Sequence, residues 1–410
     1  MGEKIYGLLG RRLGHSWSVP IHRDLGCGDY RLIELERSQL GDFLGREDIG
    51  GLNVTIPYKR TAMEFCDGID PAAQAIGSVN TLIRRDGKLW GYNTDLDGFL
   101  YMLRRAEITL SGKKVLILGS GGASLAVRAA AEREGAREIV TVSRTGPDNY
   151  ENLPARHGDA QVLVNATPVG MWPDMDARPV DLAGLPALEA VADIIYNPGR
   201  TELLLQAEEL GLRRAGGLSM LAAQAVRTEE LFFGRSIPEA ETEKLIARLR
   251  RDRTNLVLVG MPGCGKTTVG RALSALTGRP LADLDEEIVR RTGRTIPEIF
   301  DEDGEAAFRA LERQVLAEFC AREGQVIATG GGTVLRADNR SAMRRTGRVY
   351  FLRRDLALLP TEGRPLSRAG SLEDMYRVRR PLYSAAADVH LNNDASPEAA
   401  AELIWRDFCG

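Results

Sequence analysis

The tightest constraint on the fold lies at residues 256–268. The apolar run Leu256-Val-Leu-Val259 passes directly into Gly260-Met-Pro-Gly-Cys-Gly-Lys-Thr-Thr268, which reads G-x-x-x-x-G-K-T. A short buried strand therefore enters a glycine-rich turn, and a helix leaves it at Thr267. That order is what a phosphate-binding loop requires. The glycines let successive backbone N–H groups face inward on an anion. The helix start adds unpaired donors and the positive end of its dipole. In such a loop Gly263, Cys264, Gly265, Lys266, Thr267 and Thr268 surround the phosphates, with Lys266 on the terminal groups and Thr267 on a magnesium ion.

The rest of the chain repeats this grammar. Val115-Leu-Ile-Leu-Gly119 reads as a buried strand, followed by Ser120-Gly-Gly-Ala123. A helix is predicted from Ser124 to Glu134, with Gly135 at its C′ position, and a second strand over Ile139–Ser143. This is a dinucleotide-binding βαβ unit, although Ser124 stands at the third glycine position. The second strand ends in Ser143-Arg144-Thr145. An arginine where an acid would hold a ribose hydroxyl favours a 2′-phosphate, hence NADP. Further strands are predicted at Gln161–Asn165 and Val191–Tyr196. A helix from about Ser219 to Phe232 is expected to return onto the first domain.

Before residue 103 the chain opens with the strand Ile5–Leu9. Ser16 and Ser18 beside a helix start offer either hydroxyls to a polar ligand or an N-cap pair. Asn53, Thr55, Lys59, Asn80 and Asp95 fall at ends of short strands, where sites of open α/β sheets collect. Residues 235–253 read as a helical linker. After it, strands are expected near 256–260, 281–284, 326–329, 349–352 and 388–391, as in a parallel P-loop sheet. Asp283 and Asp285 would then share one side of a strand end, one near magnesium and one near an attacking hydroxyl. Arg309 lies on a helix. The Gly330-Gly331-Gly332 run lets a ligand approach the backbone. Arg364 sits in a plausible lid.

Totals bound the class. At 410 residues, two or three domains are expected. With 27% charged residues and a net charge of −3, a general nucleic-acid or membrane surface is not expected. Five cysteines without C-x-x-C spacing suggest reduced thiols in a cytoplasmic protein, and four histidines without an i,i+4 pair give no zinc signature. Neither a basic start followed by an apolar stretch nor a run long enough to span a bilayer is present.

Residues 1 to about 235 resemble shikimate dehydrogenase. The marks occur in order: His15-Ser-x-Ser18, Asn53-Val-Thr-x-Pro-x-Lys59, Val79-Asn-Thr81, Asn93-Thr-Asp95, Gly119-x-Gly-Gly-Ala123, Asn165-Ala-Thr-Pro-x-Gly-Met171 and Gly217-Leu-x-Met-Leu-x-x-Gln224. Residues from about 254 onward resemble shikimate kinase, through the P-loop, Asp283-x-Asp285, Gly304-Glu-x-x-Phe-Arg309, Gly330–Gly332, Arg364-Pro-Leu366 and Arg379-x-Pro-Leu-Tyr383.

The resemblance implies an α/β chain. A substrate domain (1–102, closed by the returning helix at about 219–234) and a Rossmann NADP domain (103–218) precede a P-loop kinase domain with a parallel five-stranded sheet (254–410). It implies two consecutive reactions: NADPH-dependent reduction of 3-dehydroshikimate, then ATP- and Mg²⁺-dependent phosphorylation of shikimate. Lys59 and Asp95 would be the acid–base pair. Ser16, Ser18, Thr55, Asn80, Asp95, Tyr196 and Gln224 would hold the substrate ring. Gly119, Ser120, Gly121, Gly122, Ala123, Ser143, Arg144, Thr145, Thr167 and Gly217 would border NADP. In the kinase half Asp285 would hold the attacking hydroxyl, and Asp283 would reach the metal with Thr267. Arg309 and Arg379 would clamp the shikimate carboxylate beside Gly330, Gly331 and Gly332. Arg364 would close onto the phosphates.

Several positions depart from the pattern. Arg11-Arg12-Leu13 and Val19 replace family residues around the serines. Ser143 stands for an asparagine, and Gly146-Pro-Asp148 supplies no second basic residue. Leu356-Ala-Leu-Leu-Pro360 lacks an arginine that the family often carries. Other readings are a first half that prefers quinate with NAD, in a quinate/shikimate dehydrogenase fused to a kinase-like domain with a regulatory or sensing role, and a metabolite-sensing or scaffold protein built from retired enzyme domains. The partners expected are small molecules, with a monomer or homodimer as the assembly.

Overall fold

β-branched and aliphatic runs bounded by glycine and polar turns set the strands, and three separate sheets result. The computed structural model describes residues 4–14, 16–359 and 372–410. His15 and Arg364, named above, lie outside the described residues.

The first sheet has six strands: β1 (Ile5–Gly10), β2 (Tyr30–Glu34), β3 (Ile49–Val54), β4 (Gly68–Ile69), β5 (Thr81–Arg85) and β6 (Lys88–Tyr92). Their order is β2-β1-β3-β5-β6-β4. β1 runs parallel to β2 and β3, whereas β5 is antiparallel to both β3 and β6. The tight turn between β5 and β6 carries Asp86 and Gly87 at positive φ, the conformation a two-residue hairpin demands. β3 is buried along its whole length, including the polar Asn53, whose side chain must therefore find partners inside.

The second sheet comprises β7 (Lys114–Leu118), β8 (Glu138–Val142), β9 (Val162–Asn165), β10 (Ala190–Asp193) and β11 (Arg213–Gly216). All pairs are parallel, in the order β11-β10-β9-β7-β8. The chain reverses direction of travel beside β7, where a doubly wound sheet opens its ligand crevice. Helix Gly122–Arg133 follows β7, and Gly135 takes the left-handed conformation (φ +73°) just beyond its end.

Helix Leu218–Phe233 packs on the first sheet. Phe232 covers Gly51 of β3 so closely that a Cβ there would lie 2.4 Å from its ring. Thr228 and Asn53 are hydrogen-bonded at 3.0 Å. These first two sheets belong to one compact unit formed by Met1–Met171, Ala177–Tyr196 and Gln206–Ile246.

The second unit contains Ala247–Gly410 with two short stretches, Trp172–Asp176 and Asn197–Leu205. Its sheet holds β12 (Asn255–Val259), β13 (Leu281–Asp283), β14 (Val326–Ala328), β15 (Gly347–Arg353) and β16 (Val389–Asn392). The order is β13-β14-β12-β15-β16, all parallel. Leu256, Val257, Leu258 and Val259 are each 0% exposed at its centre. Residues 235–253, expected as a helical linker, contain helix Glu239–Arg253.

One expectation needs correction. β13 ends at Asp283, and helix Leu284–Thr292 begins at once. Asp283 and Asp285 therefore do not share a strand face. Asp283 is the helix N-cap, and its carboxylate accepts from the backbone of Asp285 and Glu286. Capping, rather than the two-residue strand period, brings the two acids together.

Candidate active sites

In the first unit, β3 delivers the chain to a turn in which Thr55 N–H donates to Leu9 O and Tyr58 N–H to Thr55 O. Lys59 leaves this turn with its Nζ 2.5 Å from Asp95 Oδ2. Asp95 opens helix Asp95–Arg105, where a carboxylate is favoured by the helix dipole. Both side chains are mostly shielded, at 17% and 10% exposure. Asn80 Nδ2 donates to the other Asp95 oxygen at 2.9 Å, which fixes the carboxylate plane.

Behind Asp95 lies a buried polar network that residue patterns did not reveal. Asn80 Oδ1 accepts from Thr94 N at 2.7 Å and from Thr81 Oγ1 at 3.1 Å. Thr228 Oγ1 sits 3.2 Å from both Thr81 Oγ1 and Thr94 Oγ1 and accepts from Asn53. Tyr30 closes the chain by donating to Asn53 Oδ1 at 2.8 Å. Its ring stacks at 4.0 Å on His22, which pairs with buried Glu229 at 2.6 Å. Polar groups this deep are tolerable because nearly all are paired; Glu229 Oε2 makes no hydrogen bond but has the Arg235 guanidinium 3.8 Å away.

Other residues named from the sequence have contacts of their own. Ser16 Oγ donates to Ser18 Oγ at 3.0 Å and accepts from Ser18 N, so it restrains the first turn of helix Ser18–Asp24. Gln224 Oε1 accepts from Thr94 Oγ1 at 3.4 Å. Tyr196 packs its ring 4.9 Å from Trp17.

The dinucleotide crevice meets the same lysine. A Cβ on Gly122 would lie only 3.6 Å from Lys59 Cδ. The lysine stem thus runs over the glycine that starts helix Gly122–Arg133. Gly119, at φ +103°, turns the chain out of β7 where a Cβ would meet Ala166 O at 3.0 Å and Thr167 Cγ2 at 2.9 Å. Ser124, at the third glycine position, bonds back to Gly121 O at 2.6 Å. A larger side chain there would lose this contact. Thr167 Oγ1 donates to Asn165 Oδ1, and Asn165 Nδ2 to Asp193 Oδ1, tying the ends of β9 and β10. Gly217 admits no side chain, since a Cβ would fall 2.0 Å from Ile194 O.

After β8, Arg144 and Thr145 are exposed and available. Asp148 follows, but its carboxylate is engaged by His157 at 2.9 Å and Arg156 at 2.7 Å. The hydrogen bond from His157, with help from Arg156, holds it below the usual carboxylate range. The acid beside the arginine therefore faces its own loop.

In the second unit the P-loop borders a cavity of about 610 Å³. Gly263 and Gly265 have φ of +83° and +96°, which only glycine adopts readily. Helix Lys266–Thr277 starts one residue earlier than the motif suggested. Lys266 Nζ lies 3.0 Å from Gly260 O and Met261 O. Asp285 and Gly330 meet closely, with a Cβ on Gly330 falling 2.9 Å from Asp285 Oδ1. Burial pushes the Asp285 carboxyl up to about 6 against the pull of Lys266, and Asp283 and Glu312 reinforce the rise. It is a carboxylate poised to take a proton near neutrality.

Arg309 reaches the cavity from helix Ile296–Cys320, which breaks at Gly304 (φ +81°). Glu312 is 0% exposed and holds Arg309 at 2.8 Å while accepting from Thr333 Oγ1 at 2.5 Å. No motif singled out Glu312; its i,i+3 spacing from Arg309 was the available signal. A Cβ on Gly332 would lie 2.3 Å from Arg309 Nη2, so the glycine run makes room for that guanidinium. Arg379 is 7% exposed and donates to Gly331 O at 3.2 Å. The neighbouring Arg377 is 79% exposed, the ordinary fate of a helix arginine. Thr267 Oγ1 donates to Asp283 Oδ2 at 2.6 Å. A hydroxyl and a carboxylate are hard oxygen donors that suit Mg²⁺ completed by phosphate and water. Among the described residues no group of three or more His, Cys, Asp or Glu side chains is placed to hold a metal ion.

These features define the class: an α/β chain with a dinucleotide-dependent dehydrogenase site in one unit and a P-loop phosphotransferase site in the other. Residues 8–82 match the family model "Shikimate dehydrogenase substrate binding domain", and residues 262–408 match "Shikimate kinase". A shikimate dehydrogenase (NADP(+)) of Clostridium beijerinckii is 38% identical over 249 residues, covering 56% of this chain and 92% of that protein. A chorismate mutase/shikimate 5-dehydrogenase fusion protein from Clostridium acetobutylicum has 34% identity and a TM-score of 0.58, covering 61% of this chain and 98% of its own. The Thermus thermophilus shikimate 5-dehydrogenase solved with NADP(H) and shikimate has 32% identity and a TM-score of 0.53, covering 60% and 99%. The chain belongs to the shikimate dehydrogenase family and carries a shikimate kinase domain behind it. Among the described residues no helix is long and apolar enough to cross a membrane.

Proposed function

We propose that this chain reduces 3-dehydroshikimate to shikimate in its first unit and phosphorylates shikimate in its second. The observation that carries the first step is the Lys59–Asp95 pair lying against Gly122 at the mouth of the dinucleotide helix. NADPH, when bound, supplies the hydride. Lys59 gives a proton to the C3 oxygen as charge develops there, Asp95 orients the ammonium, and solvent returns the proton to Lys59. Asn80 holds Asp95, while Ser16, Ser18, Thr55, Tyr196 and Gln224 grip the ring and its carboxylate. Gly119, Ser120, Gly121, Gly122, Ala123, Thr167 and Gly217 border the dinucleotide. Ser143, Arg144 and Thr145 meet its 2′-phosphate.

For the second step, Asp285 accepts the hydroxyl proton. Lys266 and the P-loop amides neutralise the phosphoryl group in flight. Arg309 and Arg379 clamp the shikimate carboxylate bidentately. Thr267 and Asp283 would hold the magnesium, and Arg364 is assigned to the phosphates.

We assign residues 1–102 and the returning helix to substrate binding, 103–218 to NADP binding, 235–253 to a linker and 254–410 to the kinase. A cytoplasmic monomer or homodimer acting on small molecules fits this reading. The test supplies the purified chain with 3-dehydroshikimate, NADPH and MgATP, following NADPH absorbance and shikimate 3-phosphate together. Loss of NADPH with ester formation supports both steps. Accumulation of shikimate alone refutes the kinase reading. A higher kcat/KM for quinate than for shikimate overturns the substrate assignment.

A further inference from the structure

We infer that Arg354 is a nucleotide-contacting catalytic residue of the phosphoryl-transfer site, an inference that rests on the kinase reading above. Arg354 directly follows β15, the neighbour of the P-loop strand. The end of that strand is tied to the loop from two sides. Leu352 O would lie 2.6 Å from a Cβ on Gly260, so the first P-loop glycine sits directly against β15. Arg353 O accepts from Asn393 N at 2.7 Å, and Asn393 Nδ2 donates to Cys264 O at 2.6 Å. Arg354 is thereby delivered to the cavity wall beside Gly263, Gly265, Lys266 and Thr267.

Its bonding separates it from the other cations of that cavity. Lys266 is satisfied by two backbone carbonyls, Arg309 by Glu305 and Glu312, and Arg379 by Gly331 O. Arg354 Nε is buried without a hydrogen-bond partner, and its guanidinium donates to no other described residue. A buried donor left without an acceptor is unfavourable, and a guanidinium beside a phosphate loop finds its acceptors in the oxygens of an anionic ligand. The sequence adds that no basic residue occurs between Arg354 and Arg364. Arg353, the last residue of β15, does not line the cavity, so Arg354 is the arginine that this sheet end offers to the loop.

During transfer the bond from the γ-phosphorus to its bridging oxygen breaks as the shikimate oxygen bonds to phosphorus. The hydroxyl proton passes to Asp285, and ADP leaves with the electron pair. Arg354 donates to phosphate oxygens whose charge rises along this path, the position in which an arginine accelerates transfer most.

The test uses the full chain with Arg354→Gln and Arg354→Lys. Phosphoryl transfer is measured against MgATP and shikimate, and MgADP affinity by titration calorimetry. The NADPH-dependent rate serves as the check on folding. Arg354→Gln is expected to lower kcat/KM for MgATP by about 10²-fold or more, as for other arginines in this role. The shikimate KM should move far less, and Arg354→Lys should recover part of the loss. A change below about threefold in both transfer and MgADP affinity would overturn the proposal. Should the unmodified chain bind MgADP yet transfer nothing, the kinase reading fails separately. Weaker MgADP binding by Arg354→Gln would then still place Arg354 on the nucleotide, and unchanged binding would refute it.

Discussion

Thr228→Val removes one oxygen from the network behind Asp95 while keeping the side chain's shape. Thr228 is 0% exposed, and its hydroxyl meets Asn53, Thr81 and Thr94 at 3.0, 3.2 and 3.2 Å. The two threonine hydroxyls keep Asn80 Oδ1 as an acceptor, at 3.1 and 3.3 Å. Asn53 Nδ2 does not fare as well, because its remaining acceptor, Thr81 Oγ1, is 3.5 Å away. One buried donor is thus stranded, at a cost of about 1–3 kcal/mol. For a unit of this size each kcal/mol moves the midpoint by about 2–4 °C, so the dehydrogenase unit should melt about 4–8 °C lower at the middle of that range. Asn80 keeps its own bonds to Thr81, Thr94 and Asp95; the change reaches the site only through the loosened Thr81 and Thr94 hydroxyls, so the reduction rate should fall by less than about tenfold. Thermal unfolding followed with and without NADPH, beside NADPH-linked kinetics, reads both effects. Thr228→Ser should restore them. A midpoint within about 1 °C of the parent would refute the claim that Thr228 is the hub, since the stranded donor sets the minimum loss.

Three further outcomes follow from the geometry. Lys59→Met should lower dehydrogenase kcat by about 10²–10⁴-fold, the usual worth of a positioned proton donor, while MgATP-dependent phosphorylation of added shikimate persists. Arg144→Ala should raise the KM for NADPH about tenfold with little change for NADH, the value of about one charge-assisted contact to the 2′-phosphate. Asp285→Asn should abolish phosphorylation yet stabilise the second unit at neutral pH. The Asp285 carboxyl titrates at about 6 when folded against 3.8 in its ordinary state. The folded chain therefore binds this proton more tightly. The stability from that group is whole below the lower value and is lost as pH rises through the higher one. The advantage of Asp285→Asn in urea unfolding should grow by about 1 kcal/mol between about pH 5 and about pH 8. The kinase kcat/KM should fall on the acid side of about 6. An advantage that shrinks with rising pH would contradict this assignment.

Features whose chemistry is written in adjacent residues were legible before any strand was paired. The P-loop, the turn after β7 and the glycine run at 330–332 are backbone geometries that only certain residues in a row can adopt, so spacing declares them. Strand positions in the third sheet could be read for a related reason, since both faces of a parallel sheet are covered and its strands read as apolar runs. β11 carries no such signal, because Arg213 and Arg214 are exposed at a sheet edge and give it the look of a loop. The two-residue spacing of Asp283 and Asp285 reads as a shared strand face, whereas the structure makes Asp283 a helix N-cap whose carboxylate accepts from the backbone of Asp285.

The meeting of distant residues was settled by packing instead. Asn53 and Thr228 are 175 positions apart, and His22 and Glu229 are 207 apart. Nothing local in either segment announces the other. The same holds for Arg354, whose neighbours become phosphate-loop glycines only once β15 lies beside β12. Local chemistry is fixed by covalent spacing, whereas partners across a sheet are fixed by which strands pair and which helix returns. That choice depends on the burial of the whole core, and no short stretch of sequence carries it.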